Sequence, residues 1–182
     1  MQPAPERATP GAARRRAVLA GALALGTSPA AAQGPACPPP GDGRSRTYRN
    51  ERFGITMTYP SVFALDPGSI PAAGDSARFW TADRQATAVV DAARPAQRRG
   101  LDTLLAEAEE DILRNSRGEI TYRRRRGTWF VLSGFILGRI FYRRSVVTPD
   151  GTVATLWLEF PRALKPCLEA AVTMMSLSFR PL

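Results

Sequence analysis

Arginine is the residue type on which any chemistry of this chain has to be built. Lys and Arg together number 25 against 16 Asp and Glu, with no His, for a net charge of +9. Arg123-Arg124-Arg125-Arg126 is an unbroken basic run, and Arg139, Arg143 and Arg144 follow shortly after it. The planar guanidinium fork suits carboxylate and phosphate oxygens, so these seven form a candidate basic patch. If the run is a strand, alternation puts Arg123 and Arg125 on one side and Arg124 and Arg126 on the other. One patch then needs neighbouring hairpin strands to contribute their own arginines. Its ligand would be an anionic lipid headgroup, an envelope polysaccharide or an acidic protein. The competing reading is a solvated strand end whose charge blocks edge pairing and balances an acidic helix.

Catalytic chemistry has little to work with. Without His there is no Ser-His-Asp or Cys-His nucleophile and no His-ligated zinc. Two cysteines do not make a Cys₄ site. Asp75, Asp83, Asp91, Glu119, Asp150 and Glu159 are the candidate carboxylates for a small hydrolase. Asp75, Asp83 and Asp150 fall in predicted turns, where Asp bonds its own backbone. Glu159 lies late in a strand and calls for an arginine across the sheet, and no spacing brings two of the acids together. Ser133-Gly134 lacks a nucleophile elbow, so these small residues read as a place where a helix comes close to the sheet. The sequence therefore predicts no catalytic residue, no metal and no cofactor.

The N-terminal region reads as an address. Arg14-Arg15-Arg16 precedes an apolar run from Ala17 to Gly26, and Ala30-Ala31-Ala32 supplies small residues. These are the three parts of a secretory signal peptide, residues 1–32, with cleavage after Ala32. The run is too short for a bilayer span of about 20 residues. A Sec-type signal fits better than a twin-arginine one, because no Ser or Thr precedes Arg15-Arg16 and Val18 stands where Phe is usual. Export places the remaining Cys37 and Cys167 in an oxidising space, where an even count predicts one disulfide. It also disfavours nucleic acid as a partner.

Residues 33–47 read as a Pro/Gly-rich flexible leader and residues 48–182 as one domain. Phe53 to Tyr59 alternates apolar with Gly and Thr, which predicts a half-buried strand ended by Pro60. Residues 61–76 read as a long loop. Strands are predicted at 77–81 and 86–92, then an amphipathic helix of about fourteen residues from Leu101, with Asp102, Glu107, Glu110 and Asp111 on its polar face. Four strands follow, at 119–126, 128–137, 139–148 and 152–160, separated by Gly127, Gly138 and Pro149-Asp150-Gly151. The third of these turns precedes the last strand, and the Trp129 to Leu137 strand, apolar on both faces, reads as central. Pro161 ends the sheet. A C-terminal helix carries Leu164, Leu168, Ala171, Val172 and Met175, with Ser178-Phe179 packing back as a tail. The order β-β-β-α-β-β-β-β-α predicts an α+β fold, an antiparallel sheet of about seven strands with helices packed on it.

The opening Tyr48-Arg49-Asn50-Glu51-Arg52-Phe53-Gly54-Ile55-Thr56-Met57-Thr58-Tyr59-Pro60 resembles that of the PsbP-type α/β/α sandwich, a fold shared with Mog-type Ran-binding proteins. The Gly74-Asp75 turn before the Phe79 strand, the helix after the third strand, and the Phe160-Pro161 stop before a last helix resemble it too, over roughly residues 48–180. The resemblance implies the fold and a binding or assembly role without catalytic residues. The expectation is an exported, non-catalytic binding module of the bacterial cell envelope, with an envelope protein or anionic surface as partner. A small periplasmic hydrolase and an anionic-surface binder stand as alternatives.

Overall fold

The alternation in Ile55-Thr56-Met57-Thr58-Tyr59 buries Ile55, Met57 and Tyr59 and leaves the threonines outward, as period two requires. In the computed structural model, which describes residues 36–182, this strand β2 (Ile55–Pro60) lies between β1 (Ser45–Asn50) and the short β10 (Arg180–Pro181) in a three-stranded sheet. A second sheet holds β3 (Phe63–Asp66), β4 (Ser76–Thr81), β5 (Thr87–Ala93), β6 (Glu119–Arg126), β7 (Trp129–Ile136), β8 (Arg139–Val147) and β9 (Val153–Pro161). Its order is β3-β4-β5-β9-β8-β7-β6, antiparallel throughout. Helix α1 (Leu101–Glu110) follows β5, and α2 (Lys165–Ser178) follows β9. The fold is α+β with a seven-stranded antiparallel sheet, as the sequence predicts.

The large sheet is covered on both faces by different material. β9 shows this most clearly: Ala154, Leu156, Leu158 and Phe160 are buried on one face, while Val153, Trp157 and Glu159 lie on the other. The first face meets β2 and α2, and its core joins Leu156, Leu158 and Phe79 to Met57, Leu168, Met175 and Phe179. We call this the α2 face. On the opposite α1 face, Leu104, Leu105 and Ala108 of α1 and Ile112 just after it pack on Phe130, Leu132 and Phe141. Trp157 stacks on Phe141 at 5.2 Å. Each fully buried Leu or Phe contributes about 1.5–3 kcal/mol of transfer free energy.

The Cys37–Cys167 disulfide forms, with the Cα atoms 5.6 Å apart and a sequence separation of 130. Closing so long a loop stabilises the folded chain by about 4–5 kcal/mol in the entropic picture. It joins the segment before β1 to the first turn of α2, where Pro166 occupies an early position that needs no amide hydrogen.

Several local expectations change. The strand over 53–59 belongs to its own small sheet, and the seventh strand of the large sheet is β3, inside the span read as loop. Its four residues are too few for periodicity to register. β1 begins at Ser45, three residues ahead of the expected domain start. The preceding stretch is tied down rather than free: Pro38 is buried, Asp42 accepts from Arg44 N–H at 3.0 Å, and Ser61 N–H donates to the Arg44 carbonyl at 2.8 Å. Helix α1 is regular only to Glu110 and continues as a π turn over Asp111–Asn115. β7 is next to the edge strand, and β9 is central. The proposed signal peptide, residues 1–32, lies outside the described residues.

Gly134 admits a strand, not a helix. A Cβ there would run into the Glu119 carbonyl of β6, and between Ile120 and Tyr122 the ladder with β7 slips by one residue. Thr121 is the extra residue of this β-bulge. A bulge of one residue decides which side chains of the rest of the strand face which way. Gly134 and the bulge thereby set the facing of the arginine run.

Candidate functional site

The seven arginines separate onto the two faces of the sheet. Beyond the bulge, Arg123, Arg124, Arg125 and Arg126 stand opposite Leu132, Val131, Phe130 and Trp129. Leu132 and Phe130 belong to the α1 core, so Arg123 and Arg125 point to the α1 face. Arg123 Nε lies 2.6 Å from Glu109 Oε1, and Arg125 Nε lies 2.9 Å from Asp102 Oδ1. A second bond from Arg125 Nη2 to Asp102 Oδ2, at 3.0 Å, makes that pair two-pronged. Arg139 faces the same way and pairs with Glu159 at 2.6 Å, the partner across the sheet that the sequence reading calls for. Its Nη2 also donates to the Gln85 carbonyl at 2.7 Å.

Arg143 is the fourth on this face. It lies over the Phe130 ring at 5.9 Å, and its Nε donates to Ser145 Oγ at 3.3 Å. Ser145 in turn bonds Thr155 Oγ1 at 2.8 Å. Burial lowers the pKa of Arg143, opposed by the charges of Asp111 and Asp91. It lines a small cavity under α1 with Arg99, Glu107 and Asp111.

Arg124, Arg126 and Arg144 are on the α2 face, at its β6 end. Arg144 lies over the Trp129 ring at 4.4 Å, and Arg124 approaches the same ring at 5.9 Å. Arg126 is the cross-strand partner of Trp129. None of these three forms an ion pair among the described residues. Arg144 Nε is buried without a hydrogen-bond partner, and burial lowers the pKa of this guanidinium, with Tyr142 opposing. Tyr142 borders the group and shares a 2.6 Å hydrogen bond with Ser176 of α2. Cations on aromatic faces are held by the ring quadrupole and keep their in-plane N–H donors for another acceptor.

The structure adds residues that the sequence reading did not single out. Tyr122 is exposed on the same face, and Arg162, just before α2, lies 3.6 Å from the Phe135 ring centre. Trp129, Val131, Ser133 and Phe135 share one face of β7. That aromatic spacing was available in the sequence once Gly127 is taken as a hairpin turn. Nothing local to Arg162 announces its position. Arg78 of β4 and Arg84 in the turn after it flank Trp80 at 5.6 and 5.1 Å, but there Arg78 stands opposite Asp66 in the ladder.

Among the carboxylates, Asp83 accepts from Thr81 Oγ1 at 2.6 Å and from Gln85 N–H at 3.1 Å, and the Thr81 bond lowers its pKa. Asp150 is held by Thr148 Oγ1 and by the backbone N–H of Thr152, which together take its pKa down to about 2. Both are turn residues of the expected kind. Glu119 lies at the bulged start of β6. Asp75 and Asp91 line one open groove with Arg99 and Thr155. Strand pairing brings them there, since Asp91 stands opposite Ser76. Among the described residues no cluster of His, Cys, Asp and Glu is placed to hold a metal, and no helix is long and apolar enough to cross a membrane.

This chain resembles known proteins in structure rather than in sequence. No protein-family model matches it, and no curated protein matches it in sequence. Solved structures do. The cyanobacterial PsbP protein CyanoP of Synechocystis superposes with a TM-score of 0.59 at 14% identity, over 81% of this chain and 98% of that one. The Ran-binding protein Mog1p of Saccharomyces cerevisiae gives 0.58 at 11% identity, over 76% and 95%. The fold is PsbP-like and Mog1-like. At these identities the likeness concerns the fold alone.

Proposed function

We propose that this chain is an exported, non-catalytic binding module of the bacterial cell envelope, and that its contact surface is the arginine–aromatic group on the α2 face of β6, β7 and β8. The observation that carries the reading is the trio Arg124, Arg126 and Arg144 gathered about Trp129, with no ion-pair partner among the described residues. Arginine, tryptophan and tyrosine dominate the binding energy of protein interfaces, and here they alternate across adjacent strands. The complement of such a surface is an acidic protein. A protein partner also accords with Mog1p being a Ran-binding protein. Export rests on the basic region, apolar run and alanine end of residues 1–32, and the disulfide is compatible with it.

The test is enrichment of partners from the organism's envelope extract, with Arg124, Arg126 and Arg144 changed together to Glu in one variant and Arg123 and Arg125 changed to Gln in another. The account expects the first variant to lose a protein that the wild type and the second retain, with elution by salt. Identical capture by all three forms overturns it. Co-sedimentation with anionic lipid vesicles, abolished by the first variant, would move the assignment to a lipid surface.

A carboxylate hydrolase is favoured by one observation, the shared groove of Asp75 and Asp91. If it were correct, Asp91→Asn would abolish a measurable glycosidase or esterase turnover while leaving partner capture intact.

A further inference from the structure

The edge of β6 deepens the proposed function. This strand ends the seven-stranded order and, among the described residues, pairs with β7 alone. Beyond the bulge, Tyr122–Arg126 runs in unbroken register against Ser133–Trp129, and all five residues are exposed. In an antiparallel ladder, alternate residues turn their N–H and C=O away from the partner strand. No main-chain group of residues 121–126 is taken up by a turn, loop or cap among the described residues. A regular edge of this kind is a template for another strand, and natural edges are commonly guarded by charge. The guard here has one sign. A second copy of β6 would set arginine against arginine, and like charges directly opposite are destabilising.

We infer that the β6 edge takes an extended acidic segment of the partner as an added strand, with carboxylates at alternate positions beside Arg124 and Arg126. This rests on the reading of the α2 face as the contact surface. The alternation follows from the split of the run. Arg123 and Arg125 already hold Glu109 and Asp102, so the strand's side chains on the α1 face need no charge. Arg124 and Arg126 pair with no acid among the described residues, and cross-strand neighbours in a sheet stand about 5 Å apart at Cβ, well within reach of a guanidinium. Tyr122 adds an exposed ring on the same face. Glu119, which stands opposite Phe135 beyond the bulge, repels carboxylates there and limits the contact to Tyr122–Arg126. Main-chain bonds supply affinity in such strand addition, and alternate side chains supply specificity. The charges that exclude a copy of the chain select the complementary segment.

The experiment uses two synthetic peptides of about ten residues, enough to span the edge. One alternates Glu with Thr; the other has the same composition with all its Glu in one block. Binding to the purified chain is followed by titration and by amide hydrogen exchange resolved along β6. The inference expects the alternating peptide to bind about tenfold more tightly than the block peptide. It also expects saturation to slow exchange of outward amides in Tyr122–Arg126 by about tenfold or more. Arg124→Gln with Arg126→Gln removes both effects. Equal binding of the two peptides without β6 protection, lost in that double variant, overturns the added strand while leaving the arginine face as the contact surface. Protection that survives the double variant overturns the carboxylate pairing. No binding of either peptide overturns the inference, and capture from the envelope extract then decides the broader reading on its own.

Discussion

The two sides of β6 use the same residue type for opposite ends. On the α1 face, Arg123 and Arg125 close on Glu109 and Asp102, so basic strand and acidic helix neutralise each other. One residue along, Arg124 and Arg126 stand beside Trp129, which Arg144 also covers, and none of the three has an ion-pair partner among the described residues. A basic run is therefore neither a site nor a solvated edge as a whole. Strand alternation divides it, and the element packed against each face decides what each half does. The bulge at Thr121, which Gly134 permits, chooses which half meets the helix.

The largest effect comes from removing what presses α1 to the sheet. Phe130→Ala deletes a fully buried ring beneath Leu104, Leu105 and Ala108, and is expected to cost about 3–5 kcal/mol in denaturant unfolding. Protection of α1 amides should fall before that of α2. Gly134→Ala comes next. The new methyl meets the Glu119 carbonyl, so β6 must move, at an expected cost of about 1–3 kcal/mol. If the bulge is lost, the arginines exchange faces and Trp129 fluorescence changes. An unchanged emission and unchanged stability would break the link between Gly134 and the facing of the run.

Smaller effects sharpen the contrast. Arg125→Gln removes an exposed but two-pronged pair and should lower stability by about 0.5–1 kcal/mol. Arg126→Gln, on the other face, should leave unfolding unchanged to within about 0.5 kcal/mol, since no ion pair is lost. Equal losses would show that both faces are structural. The last effect depends on pH. The depressed pKa of Asp150 means that its contribution to stability is present above its ordinary value of 3.8 and disappears as pH falls towards about 2. Thermal unfolding of Asp150→Asn should therefore begin below that of the wild type near neutral pH, and the two curves should converge as the solution is acidified through that window.

Much of the fold is legible in the sequence because its signals are periodic. β2 and β9 alternate cleanly, α1 repeats its leucines at helical spacing, and Gly127 and Gly138 punctuate the hairpins. β3 is hidden by its shortness and β10 by its two residues, and no local pattern says that β2 leaves the large sheet for a small one. For the site, the arginines and their alternation are plain from the sequence. Their pairing is less so: Glu109 and Asp102 reach β6 only through the packing of α1 on Phe130 and Leu132. The same is true of Arg162 over Phe135, whereas Asp75 and Asp91 reach one groove through the pairing of the consecutive strands β4 and β5.

The central claim is that only one half of the run is available to a partner. The most direct measurement is the affinity of the captured envelope protein, by titration, for the wild type and two charge-matched double variants. Arg124→Gln with Arg126→Gln should weaken binding by about tenfold or more, whereas Arg123→Gln with Arg125→Gln should change it by less than about threefold. Equal losses from the two pairs, or the larger loss from Arg123 and Arg125, would contradict the account.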